Sequence, residues 1–181
     1  MKNLQDIIQE KLKISSKTKI NSYNYCPKDK DELKNLLEQL LGERGKDADL
    51  NDIDISEITD MSELFDNLDP HNIDISNWDV SNVINMRYMF YKCHKFNCNL
   101  SKWNVSNVKD MYGMFYECNK FNSDLSKWNT SKVKSMVWMF DGCENFNSDL
   151  SKWDVSNVEN MLDMFIDSPL QKNPPKWYKN F

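Results

Sequence analysis

Cysteine offers the most reactive side chain in this 181-residue sequence, and three of its five cysteines stand in register: Cys93, Cys118 and Cys143, 25 residues apart. A ladder of that kind suggests disulfides or a thiolate metal site. Zinc would need closely paired ligands, and the sequence has no C-x-x-C and no histidine pair. If the cysteines ride on stacked helices, their backbones lie about 8–10 Å apart. A disulfide needs Cα atoms under about 7 Å. The expectation is therefore buried free thiols, with no metal and no cofactor. Together with Cys26 and Cys98 outside the ladder, they fit a reducing compartment.

Other reactive types lack a constellation. His71 and His94 have no nucleophile or carboxylate pattern beside them, so the chain is expected not to be an enzyme. Asp47, Asp49 and Asn51 imitate the start of a calcium loop. The glycine required at loop position six is Asp52, and the glutamate required at position twelve is Ile58. No calcium site is expected there. A formal charge of −5 argues against nucleic acid as a partner. No apolar run reaches about 18 residues, so no membrane insertion is expected.

What positions these residues is a repeat. Trp78, Trp103, Trp128 and Trp153 recur every 25 residues. So do Met86, Met111, Met136 and Met161, then Met89, Met114, Met139 and Met164, and then Phe90, Phe115, Phe140 and Phe165. An eroded copy (Ile55, Ile58, Met61, Leu64, Phe65) precedes them, making five units over residues 49–168. Val83, Met86, Met89, Phe90 and Cys93 trace an apolar helical stripe behind Ser81, a natural N-cap. The "LSKWNV" stretch reads as a short extended segment. The expected fold is an α/β repeat solenoid, leucine-rich-repeat-like, each unit one short strand plus one helix. Its repeated Trp, Met and Phe columns are the expected core. The Trp column also suggests a carbohydrate-binding stripe, but packing explains a residue present in every full copy. Asn97, Asn122 and Asn147 are expected to satisfy backbone groups at turns.

The ends are read as caps. Residues 1–48 hold an amphipathic segment (Leu4, Ile7, Ile8, Leu12), an extended stretch, and a leucine-rich helix that Gly42 is placed to stop. Residues 169–181 place prolines and then Trp177, Tyr178 and Phe181 over the far end. The chain reads as complete, a monomer by default, and cytoplasmic, since no signal peptide is recognisable.

The pattern W-D-V-S-N-V-x-x-M-x-x-M-F-x-x-C-x-x-F-N-x-D-L-S, between Trp78 and Phe165, resembles the BspA-like bacterial surface-protein repeats of the mycoplasma-lipoprotein type. The "YNYCPKDKDELKNLL" entry and "NPPKWYK" exit are similar to that family's flanks. The resemblance implies a surface or secreted location, protein–protein contact or adhesion, and no shared catalytic residues.

Positions that vary between units are free to serve a partner. On a helical wheel, positions 84, 87, 88 and 91 and their copies share one flank, which gathers Arg87, Tyr88, Tyr91, Tyr112, Tyr116 and Trp138. These types dominate binding energy at interfaces, although tyrosines at position 91 could equally cover the core margin. The expected function is a non-enzymatic protein-interaction scaffold with a protein partner. A surface adhesin binding host protein or carbohydrate is the alternative.

Overall fold

Asp29 begins the only α-helix found among residues 23–179, which are the residues described by the computed structural model. Its carboxylate accepts the Glu32 N–H at 2.9 Å, and Glu32 in turn accepts the Lys28 N–H at 3.0 Å, so two N-terminal donors are satisfied. The helix, α1 (Lys30–Arg44), buries Leu33, Leu36, Leu37, Leu40 and Leu41. It continues through Gly42. Gly45, at φ 89°, is the residue that ends it, donating to the Leu41 carbonyl. Arg44 fastens the end to the chain beyond. Its guanidinium bonds Asp52 at 2.9 and 3.0 Å and the Asp49 carbonyl at 2.9 Å.

Beyond α1 the chain winds into 25-residue coils made of turns. Single-residue parallel bridges join them: Asp60 to Asn85, Asn85 to Asp110, Asp110 to Ser135, and Ser135 to Asn160. Hydrogen bonds run from coil to coil. Met86, Tyr88, Phe90 and Lys92 donate to the carbonyls of Asp110, Tyr112, Met114 and Tyr116, and the next coils repeat the pattern. On the opposite side of each bridge, Lys109 donates back to Ile84, Lys134 to Lys109, and Glu159 to Lys134. Neighbouring coils therefore sit at hydrogen-bonding distance, about 4.8 Å.

At this spacing identical side chains stack face to face. The Phe90, Phe115 and Phe140 rings lie 5.5 and 5.6 Å apart within 7° of parallel, and Phe96, Phe121 and Phe146 form a second column with 5.7 Å steps. The two columns touch at 4.0–4.1 Å. Trp78, Trp103, Trp128 and Trp153 are each only 4% exposed. Every indole N–H reaches a carbonyl of the preceding coil: Leu50, Ile75, Leu100 and Leu125, at 2.9–3.1 Å. The methionines of both columns are buried. At the far end a 3-10 turn, Pro169–Gln171, buries Leu170, and Trp177 continues the indole column 6.4 Å from Trp153. Leu4, Ile7, Ile8, Leu12 and Phe181 lie outside the described residues.

The expected α/β repeat solenoid, leucine-rich-repeat-like with one strand and one helix per unit, is overturned. Among the described residues the units contain no helix, and no sheet is formed. Left-handed backbone is the reason. Glu63, Tyr88, Gly113, Trp138 and Asp163 all sit at φ 53–56°. Four residues on, Asn67, Lys92, Glu117, Gly142 and Asp167 sit at φ 50–73°. Two such residues per coil interrupt any α-helix. Ser81 caps nothing. Its N–H is held by the Asp79 carboxylate at 3.0 Å in an Asx turn, and Asp54, Asp74, Asn104, Asp124 and Asp154 make the same turn.

Candidate functional site

The left-handed column shapes a strip of aromatic rings on one side of the stack. At φ 53° Tyr88 turns its ring over Gly113 of the next coil. A Cβ at Gly113 would stand 2.3 Å from the ring's Cε1, so that glycine is the seat of Tyr88. From there the rings are continuous. Tyr88 meets Tyr91 at 4.9 Å and Tyr112 at 5.0 Å, both edge to face. Tyr112 meets Trp138 at 5.3 Å, Tyr91 stacks on Tyr116 at 5.2 Å, and Tyr116 reaches Trp138 at 6.1 Å. All five rings are half-buried. Arg87 lies among them, its guanidinium carbon 3.9 Å from the Tyr112 centroid and 5.0 Å from that of Tyr88. Lys92 covers the Tyr91 ring at 5.2 Å.

Burial, and then a hydrogen bond with Tyr112, push the Tyr88 phenol up to about 12, so it stays neutral across physiological pH. Beside Trp138 the strip turns acidic. Asp141 loses solvation and faces Asp167, Glu117 and Asp163, which together raise its carboxyl to about 6.

Thus Arg87, Tyr88, Tyr91, Tyr112, Tyr116 and Trp138 do come together, but across coils rather than down a helix flank. Ile84, assigned to the same flank, lies elsewhere. It lines a groove of about 640 Å³ with Ser56, Glu57, Thr59, Asn82, Asn107, Lys109 and Lys132. Val137, from that flank too, is buried. Sequence reasoning missed Gly113 as the seat of Tyr88 and Lys92 as a cation over Tyr91. Both were visible as departures within their columns: Gly between Tyr88 and Trp138, and Lys between Asn67 and Glu117.

The other chemistry-bearing residues are occupied in structural roles. Cys93, Cys118 and Cys143 are buried free thiols whose Sγ approach the Phe65, Phe90 and Phe115 carbonyls at 3.8, 3.0 and 3.0 Å. Burial raises all three pKa values far above the ordinary thiol. Helix spacing is not what keeps them apart, because the coils are closer than helices; each thiol is engaged by a carbonyl three residues before the position one coil back. Cys98, also free and buried, is lifted to about 11 by burial. Asn97 and Asn122 accept the N–H of Asn122 and Asn147 at 3.1 and 3.3 Å. His94 Nδ1 lies 2.9 Å from the Asn119 side-chain oxygen, and His71 Nε2 lies 3.7 Å from the Asp69 carboxylate. Asp49 accepts the Asn51 N–H in a turn, and no group of three or more metal-ligating side chains gathers among the described residues. No helix there is long and apolar enough to cross a membrane.

A stack of turn-built coils carrying a strip of rings is a class of architecture rather than an activity. The family model described as "Mycoplasma protein of unknown function, DUF285" matches residues 33–136 and 113–179, and the chain belongs to that family. No curated protein and no solved structure matches the chain significantly.

Proposed function

We propose that the chain is a non-enzymatic protein-binding scaffold whose contact surface is the strip of Arg87, Tyr88, Tyr91, Tyr112, Tyr116 and Trp138. The observation that supports this reading is the continuity of five half-exposed rings over three consecutive coils. The ring column inside the stack needs no such extension, since the Phe and Trp columns already fill it. Rigid rings lose little entropy on binding, and Tyr, Trp and Arg carry most of the energy at protein interfaces. The partner is a protein; nucleic acid is not a partner and the chain does not insert into membranes. The chain itself acts as a monomer.

The repeat signature between Trp78 and Phe165 favours a second reading. Its resemblance to BspA-like surface repeats supports an adhesin at the cell surface, binding host protein or carbohydrate, whereas the scaffold reading suits a cytoplasmic chain. The buried tryptophans offer no carbohydrate stripe, so an adhesin would also use the tyrosine strip.

The test is affinity capture from a lysate of the source cell with the wild type and a Tyr88→Ser/Tyr112→Ser/Trp138→Ser variant that still melts cooperatively. The scaffold reading expects a defined protein, reconstituted as a purified complex with the wild type and lost with the variant. Equal recovery by both forms would remove the strip from consideration.

A further inference from the structure

The strip changes character along the stack. In its first half the ring faces are already served by cations of the chain itself, Arg87 on Tyr112 and Tyr88, and Lys92 on Tyr91. The column of Arg87 continues as Tyr112, Val137 and Leu162, and that of Lys92 as Glu117, Gly142 and Asp167. The internal cations therefore stop after one coil, while the rings continue to Tyr116 and Trp138. Carboxylates replace the cations. Glu117, Asp163 and Asp167 crowd Asp141, and none of the ion pairs among the described residues involves any of the four. Lys92 lies within the field of Glu117, but every charge acting on Asp141 is a carboxylate, and half-exposed ring faces beside Asp141 are complementary to a guanidinium. That group is planar, weakly hydrated, able to stack on a ring, and able to take a carboxylate in its fork. Arg87 displays the first half of that geometry within the chain at 3.9 Å.

We propose that the Trp138 end of the strip docks an arginine-bearing extended segment of a protein partner, its guanidinium groups seated on Tyr116 and Trp138 and paired with Glu117, Asp141, Asp163 and Asp167. The proposal rests on the scaffold reading and specifies the partner's chemistry. An incoming cation also relieves the crowding that lifts Asp141 to about 6.

The experiment titrates the full chain into a fluorescently labelled nonapeptide of alternating arginine and serine, and follows anisotropy at pH 7.5. Lysine and glutamate versions of the peptide run alongside. The arginine peptide binds, the lysine peptide binds more weakly, the glutamate peptide does not bind, and added salt weakens the complex. Asp141→Asn/Asp163→Asn loses about tenfold in affinity and still folds, because it removes repulsion. Trp138→Phe, which keeps a ring with a weaker quadrupole, loses affinity by a smaller factor. Binding of the glutamate peptide at equal strength, or unchanged affinity in both variants, overturns the proposal. So does a wild type that binds no peptide while a ring-dependent protein partner is still captured, and that result leaves the scaffold reading standing.

Discussion

Among single residues, Gly113 and Asp141 hold the strip in its present form, and each makes a measurable claim. Gly113→Ala places a methyl group against the Tyr88 ring and demands φ 55° of an alanine. It should destabilise by about 1–3 kcal/mol in urea titration and expel the Tyr88 ring, weakening any ring-dependent complex. Asp141 makes its claim through pH. An ordinary aspartate titrates near 3.8 and this one near 6, so the folded chain holds its proton more tightly than the unfolded chain. Between those values, stability falls as pH rises, and above about pH 6 the ionised carboxylate opposes the fold. Asp141→Asn should therefore raise the melting temperature at pH 7.5 and leave it nearly unchanged at pH 3.5. A variant equally stabilising at both values would point to a steric cause instead.

At the level of elements, the indole column is the clearest strut. Trp128→Phe keeps a ring in place but removes the indole N–H, one of two donors to the buried Leu100 carbonyl, which keeps the Trp103 N–H at 3.1 Å. The cost should be about 0.5–1.5 kcal/mol by denaturant titration, since the carbonyl keeps a second donor. Lys102→Ala, a change at an exposed position one residue before an indole, is the matched control and should be near neutral. The elements also show what could be read from residue order. The repeat, its period and its buried columns were legible because identical residues recur at identical places. The helix was not truly written there. Met86 and Met89 are the two ends of one hydrogen-bonded turn, as are Phe90 and Cys93, and Val80 and Val83. A string of such turns points its ends inward every three residues, which a helical stripe imitates. Only left-handed residues distinguish the two, and in this chain they are mostly Tyr, Lys, Glu, Trp and Asp rather than glycine. Asn and Asp hint at φ > 0, but nothing in Tyr, Lys, Glu or Trp announces it. For the same reason the ring strip was grouped correctly at Tyr88, Tyr112 and Trp138 while Ile84 was wrongly attached to it. The leucines of α1 were unambiguous because a capped helix is a local structure. Only its end was misplaced, by three residues, at Gly42 instead of Gly45.

For the whole molecule, the fixed period makes a coil an interchangeable unit. Excising Ser101–Leu125 joins Leu100 to Ser126, the same Leu-Ser junction that Leu100 makes with Ser101. This shortened chain should still melt cooperatively, whereas excising one residue fewer throws every later column out of register and should abolish the transition in a thermal melt monitored by circular dichroism. Met114→Asp puts an unpaired charge at a position with 0% exposure and should unfold the stack by the same measure. The left-handed positions carry a consequence for how such a chain comes into being. A Tyr or a Trp at φ 55° has no local reason to adopt that conformation, and what holds it is the row of carbonyls presented by the adjoining coil. Each coil is thus shaped on a template, as a layer is added to a growing crystal. Among the described residues, α1 needs no such template, having its own cap and its own backbone hydrogen bonds. The carbonyls that hold Tyr88 and Trp138 belong to the following coil, at Tyr112 and Leu162, so in a chain emerging N-terminus first each coil is fixed only once the next has been synthesised.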